Sequence, residues 1–197
     1  AHSLILSGST ARGRRTATSD LDYHLIGSPF VTTDLSPELD LHVLSPLQLE
    51  EHVLGGDDFI QWSLRFGCVV FDDGHIRNAI RLMMARRPWP DSDRKRRHAL
   101  KSLRFAARVV VSGDHDAAVR QVRAALSLAA RSVLLEHGDF PLSRAELPGQ
   151  LAGRGEHAAA RALELCIHGD PGFTELEGAV RAGLRLVGAG ELTPTEG

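Results

Sequence analysis

The chain has 197 residues, 43% hydrophobic and 24% charged, a composition typical of a folded globular protein with one domain or two small ones. Its formal net charge is -2, so the chain as a whole has no positive field, and nucleic acid is not an expected partner. Only two cysteines occur, without a CxxC pair, which argues against a disulfide scaffold, a zinc ribbon or a thioredoxin-like site. No apolar run is long enough to span a bilayer and no signal peptide is recognisable. We therefore expect a cytoplasmic protein with no membrane partner.

Short β-like runs alternate with turn signals over the first 90 residues. The pattern predicts strands at 4–6, 20–26 and 39–44, a buried strand at 68–71, and a short helix or turn at 9–15. It also predicts helices at about 46–54, 58–66 and 75–87. Ser45 followed by Pro46 is a typical start of the first of these helices, and Asp57 or Asp58 can cap the second.

Residues after about position 90 are rich in Ala, Leu and Arg at helical spacing. We predict four helices, over about 92–112, 115–137, 156–168 and 173–187, joined by short links that favour antiparallel packing. The predicted fold class is therefore α+β, with a small mixed β-sheet domain at 1–90 followed by an antiparallel helical bundle at 91–188. Residues 189–197 are expected to form a mobile tail.

Two aspartates alternate on the second predicted strand. Asp20 and Asp22 lie two residues apart, so their carboxylates point to one face and would repel by roughly 3 kcal/mol at an effective dielectric of 20. Such a pair suits a cation, and hard oxygen ligands favour Mg²⁺. Asp40 joins them as a third carboxylate if its strand lies beside the strand that carries Asp20 and Asp22. The alternative is that all three are surface residues of a one-sided sheet.

A glycine and a serine follow the first predicted strand. Gly8 allows close approach of the backbone to a ligand, and the Ser9 hydroxyl with nearby N–H groups can hold a phosphate. Arg12 lies about one turn further on and can add positive charge to the same phosphates. A phosphate cradle beside a carboxylate cation site is suited to phosphoryl or nucleotidyl transfer.

This ordered motif, GSTARGRRTATSDLD followed by LDLHVL, resembles the minimal nucleotidyltransferase domain of the DNA polymerase β superfamily. The Ala-Arg-Gly after the serine and the Ser before the first Asp resemble the branch that contains aminoglycoside nucleotidyltransferases and the MNT antitoxins. The specific resemblance covers about residues 4–44. The chain departs from the family in one respect, because almost nothing precedes the first predicted strand, where the family usually has a helix.

The resemblance implies a role for each motif residue. Gly8 and Ser9 would hold the β- and γ-phosphates of a nucleoside triphosphate such as ATP. Asp20 and Asp22 would bind Mg²⁺, with Mn²⁺ as the alternative ion. Asp40 would be a third ligand or the general base, although an acid of the helical half can supply the base in this branch.

The implied enzyme moves a nucleoside monophosphate to a hydroxyl of a small, possibly aminoglycoside-like, acceptor and releases pyrophosphate. Two alternatives stay open: a toxin–antitoxin or regulatory module that nucleotidylates a protein partner, and a non-catalytic nucleotide-binding protein. The protein can also form a homodimer, a possibility that the sequence leaves open.

Other candidates have simpler structural explanations. Arg131 and His137 resemble the Arg-x(4–6)-His signature of HEPN ribonucleases, but His137 also suits a helix C-terminus. The basic cluster at 94–97 can meet an anion or form a solvated face. Trp62 and Trp89 can stack on a base or serve as packing anchors. His24 and His42 can contact the predicted site. Asp114, Asp116 and Glu136 can bind a cationic acceptor.

Overall fold

A computed structural model describes residues 2–13, 20–28, 36 and 38–189. The chain forms two compact units that divide between Pro90 and Asp91, where the sequence changes from β-like to helical patterns. Unit 1 contains the sheet and unit 2 contains the long helices. Each unit has its own hydrophobic core.

The sheet of unit 1 has four strands in the order β3-β2-β1-β4. β1 is antiparallel to both β2 and β4, whereas β2 and β3 are parallel and in register, so the sheet is mixed. The strands are β1 (Ser3–Leu6), β2 (Leu21–Ile26), β3 (Leu39–Leu44) and β4 (Cys68–Phe71).

Four helices accompany the sheet, and three of them build a core on one of its faces. Ile5 and Ile26 alternate inward from β1 and β2 and are almost fully buried. They form one cluster with Leu49, Ile60 and other apolar side chains of the three longer helices. The helices are α1 (Gly8–Ala11), α2 (Pro46–Leu54), α3 (Asp58–Phe66) and α4 (His75–Arg86).

The predicted helix starts of unit 1 are confirmed in atomic detail. Ser45 accepts from the Gln48 amide, and the Gln48 side chain in turn accepts from the Ser45 amide. Asp57, not Asp58, caps α3 by accepting from the amides of Phe59 and Ile60. These side-chain caps satisfy backbone donors that have no partner within the first turn.

The prediction of a buried strand at 68–71 is correct for the strand and wrong for its burial. β4 lies at the edge of the sheet, and all four of its residues are exposed. A run of four apolar residues does not distinguish a central strand from an edge strand, because the burial of a strand depends on what packs against it.

The described residues of unit 2 form five α-helices where the sequence predicted four. Helices α5 (Ser92–Ser112), α6 (His115–Glu136), α8 (His157–His168) and α9 (Phe173–Leu186) end within about one residue of the predicted positions. The additional helix α7 (Leu147–Gly153) follows a 3₁₀ turn at Arg144–Glu146. It was missed because Pro148 and Gly149 look like helix breakers, yet Pro148 lies in the first turn, where its missing N–H costs nothing.

The core of unit 2 is formed by side chains from all five helices, including Leu103, Leu126, Leu147, Leu163 and Leu176. Ala189, placed in the tail by the sequence analysis, packs against this core, and the rest of that predicted tail lies outside the described residues. No described helix combines the length and the apolar character needed to cross a membrane.

Candidate functional site

The turn after β1 places Gly8 directly against Asp22. The Ser7 amide donates to the carbonyl oxygen of Asp22 at 2.8 Å, and the Ser7 hydroxyl contacts the same oxygen at 3.3 Å. Gly8 then adopts φ +65, a left-handed conformation that favours glycine. A Cβ at this position would overlap the Asp22 carboxylate, with Cγ only 2.8 Å away. Glycine is therefore required here for two independent reasons.

Asp22 and Asp40 are register partners on neighbouring parallel strands. Partners in register lie on one face of a sheet, and adjacent strands are about 4.8 Å apart. Asp22 is half-buried, whereas Asp40 is exposed. The structure therefore brings these two predicted site residues side by side at the start of β2 and β3.

Asp20 is exposed and stands one residue before β2 begins. Within the described part of the chain, no three His, Cys, Asp or Glu side chains are grouped closely enough to hold a metal ion by themselves. The role of Asp20, Asp22 and Asp40 as metal ligands stays a prediction. Mg²⁺ keeps several waters and is often held by one or two carboxylates together with substrate phosphates, so a complete protein cage is not required.

Helix α1 carries the other predicted contacts to a nucleotide. Ser9 is half-buried within it. The Thr10 hydroxyl oxygen is buried and has no hydrogen-bond partner among the described residues. The Arg12 guanidinium lies over the ring of Phe66 in α3, 5.2 Å from its centroid. This cation–π contact places a positive charge at the C-terminal end of α1.

Two histidines continue the polar face beyond the aspartates. His42 lies two residues after Asp40, and its Nε2 is 3.3 Å from an Asp40 carboxylate oxygen. Its ring stacks on that of His24 at a centroid distance of 5.3 Å, and both rings meet the edge or face of Phe59. Asp40 is thus linked through His42 to the packed interior of unit 1.

The hydrogen bonding of His24 favours the tautomer that carries its proton on Nε2. The Ser63 hydroxyl donates to the Phe59 carbonyl oxygen, so it accepts from His24 Nε2 at 2.9 Å. Nδ1 is buried without a partner among the described residues. Burial, helped by the neighbouring imidazole of His42 and opposed by two nearby carboxylates, lowers the pKa of His24 to about 4.

Sequence reasoning placed His24 and His42 on the strands that bear the acids, but it missed their contacts with α3. Phe59 and Ser63 are distant from both histidines along the chain, and no local pattern marks the pairing. The one usable signal is the three- and four-residue spacing of Ile60 and Leu64 beside these residues, which marks one side of α3 as apolar.

The other sequence candidates have structural roles. Arg131 donates to the Leu142 carbonyl oxygen, and His137 contacts the Val133 carbonyl oxygen at the end of α6. Asp114 caps α6 by accepting a hydrogen bond from the Ala117 amide. Trp62 is only 5% exposed and packs on Phe66, so the packing role is confirmed for this tryptophan.

Comparisons with known proteins support the fold. No protein-family model matches the chain, and no curated protein matches its sequence. The structure is similar to the crystal structure of a nucleotidyltransferase-like protein from Exiguobacterium sibiricum 255-15, with a TM-score of 0.50 and 16% identity. The similarity covers 95% of this chain and 68% of that chain. The predicted α+β class, a small mixed sheet followed by helices, is confirmed, and the fold is nucleotidyltransferase-like.

Proposed function

We propose that this protein is a divalent-cation-dependent nucleotidyltransferase that moves a nucleoside monophosphate from a nucleoside triphosphate to a hydroxyl of a small acceptor. The observation that carries the proposal is the close packing of Gly8 on Asp22 beside its register partner Asp40. It joins a glycine turn and two carboxylates in one place. The fold-level similarity supports the same class of reaction.

The donor set at this position fits Mg²⁺. Carboxylate oxygens are hard ligands, and two of them on adjacent strands can share one ion with phosphate oxygens of the substrate. Asp22 and Asp40 would hold the ion, with Asp20 as a further ligand. When bound, the ion neutralises charge on the α-phosphate and on the departing pyrophosphate.

The remaining chemistry falls to residues of this chain. The backbone and hydroxyl of Ser9, at the turn opened by Gly8, would hold the β- and γ-phosphates. Arg12 would add positive charge beside them. Asp40 would accept the proton of the acceptor hydroxyl as it attacks the α-phosphate.

The first test is transfer of label from α-labelled nucleoside triphosphates to a panel of hydroxyl acceptors that includes aminoglycosides, with Mg²⁺ or Mn²⁺. Asp22→Asn and Asp40→Asn are expected to lower the rate at least about 100-fold, because several kcal/mol of charge stabilisation are removed. Glu50→Gln, an exposed acid on α2, is the matched control and should leave the rate unchanged.

The other outcomes are equally informative. Unchanged transfer in both aspartate variants would refute the metal roles. Label that appears on a co-purifying protein would identify a protein acceptor. Binding of the triphosphate without turnover on any acceptor would favour a non-catalytic nucleotide-binding protein.

A further inference from the structure

Helix α5 has an unusual charge distribution. Its 21 residues include seven Arg and Lys, against a single acidic residue, Asp93 in the first turn. The chain as a whole is slightly acidic. Positive charge is therefore segregated onto this helix, which the net charge of the whole chain does not reveal.

Five of these cations form one line on the outer face of α5. The helix buries one side in the core of unit 2, through Ala99, Leu103, Ala106 and Val110. At 100° per residue, the five cations fall within an arc of about 80° opposite that buried side and extend over about 21 Å. All five are exposed: Arg94, Arg97, Lys101, Arg104 and Arg108.

Little neutralises this line of cations within the described part of the chain. Asp93 pairs with Arg96, which lies to one side of the line, at 3.7 Å. No ion pair with a described acid is formed by any of the five cations. Like charges three or four residues apart destabilise a helix, so this arrangement is unfavourable unless an anion accompanies it.

An exposed aromatic ring adjoins the cations. Phe105 is 45% exposed, and the guanidinium of Arg108 lies 5.7 Å from its ring centroid. On the helical wheel Phe105 borders the same arc. A flat apolar ring beside a row of cations can stack on a base while neighbouring phosphates are neutralised.

We propose that this face of α5 binds single-stranded nucleic acid. The cations recur every three or four residues, about 5 Å apart along the axis, and four of the five are arginines, whose forked donors suit phosphate oxygens. A line this narrow can follow one phosphate backbone, whereas a duplex presents two. The proposal does not depend on the transfer reaction.

The test measures fluorescence anisotropy of labelled 20-nucleotide oligo-U and oligo-dT with the full-length chain over a range of salt concentrations. Five phosphate contacts predict a slope of log affinity against log salt of about -3.5, or roughly 100-fold weaker binding at 200 mM than at 50 mM salt. Absence of binding at 50 mM salt would overturn the proposal.

Variants locate the contacts. The triple variant Arg97→Gln, Lys101→Gln and Arg104→Gln is expected to reduce the slope by about 2. The matched control removes three exposed arginines from other helices of unit 2, namely Arg120→Gln, Arg161→Gln and Arg185→Gln, and should keep the slope. Equal losses in both triples would show a diffuse charge effect and contradict a site on α5.

Phe105→Ala separates stacking from charge. It is expected to weaken binding at least about fivefold while leaving the salt slope unchanged. Tighter binding to a duplex of the same length, or equal displacement by polyglutamate, would overturn the proposal in favour of duplex DNA or an acidic protein.

Discussion

Gly8 has no Cβ, and the Asp22 carboxylate occupies the space where a Cβ would lie. This single contact fixes the distance between the turn after β1 and the acids of β2 and β3. The sequence motif predicted that these residues share a site. It did not reveal that Gly8 touches Asp22 itself, because that contact depends on how β1 pairs with β2.

Gly8→Ala and Gly13→Ala form a matched pair. Both glycines have φ +65, but an added Cβ at Gly13 meets none of the described residues within 4 Å. Gly13→Ala is expected to cost about 1–2 kcal/mol of unfolding free energy from backbone strain alone. Gly8→Ala should cost about 1–3 kcal/mol more, because it also displaces Asp22.

Urea denaturation measures both variants, and the transfer assay should show a loss for Gly8→Ala only. Equal unfolding free energies in the two variants would contradict the close packing of Gly8 on Asp22.

His24 makes the stability of unit 1 depend on pH. Its pKa is about 4 in the folded protein, mainly through burial, against 6.5 when exposed. Between these values the unfolded chain binds a proton that the folded chain does not. The free energy of unfolding therefore falls as pH drops from about 6.5 to about 4, by an amount on the order of 3 kcal/mol.

Urea denaturation across this range is expected to show a shallower pH dependence for His24→Gln than for the unchanged protein. His157→Gln, at an exposed histidine of α8, is the control and should retain the full dependence. Parallel curves for the unchanged protein and His24→Gln would exclude His24 as the titrating group.

At the scale of the elements, the sequence predicted most helices and strands because local signals suffice for them. Ser45 and Asp57 show this well, since each cap lies within three residues of the amides it serves. The exposure of β4 and the existence of α7 escaped prediction. The first depends on the order of strands in the sheet, and the second on Pro148 standing at the one part of a helix that tolerates it.

Helix packing in unit 2 gives a second matched pair, on α9. A Cβ at Gly183 would lie 2.6 Å from a methyl carbon of Leu103 and 2.9 Å from one of Leu126, both buried. At Gly178 it would meet no atom within 4 Å in the part of the chain that the structure describes. Gly178→Ala is expected to stabilise the protein by up to about 1 kcal/mol through helix propensity. Gly183→Ala should instead destabilise it by about 1–3 kcal/mol.

Thermal unfolding followed by circular dichroism compares the two alanine variants directly. A stabilising effect of both would show that Leu103 and Leu126 move aside, and would contradict tight packing of α9 on α5 and α6.

At the scale of the whole molecule, the positions of residue types along the chain are more informative than the overall composition. The position of the division at Pro90 is visible in the sequence because all predicted strands precede it and only helical patterns follow it. The net charge of -2, by contrast, averages over a helix whose outer face is strongly positive. Which cations are exposed together becomes clear only when the buried side of α5 is known.

The in-register pairing of β2 with β3 limits how this chain can change length during evolution. Side chains alternate between the two faces, so loss of one residue at Leu39 would bring Leu41 and Val43 into the positions beside Asp22 and His24. The carboxylate and the imidazole of β3 would then point away from their present neighbours. Single-residue insertions and deletions in related genes are therefore expected to spare this strand.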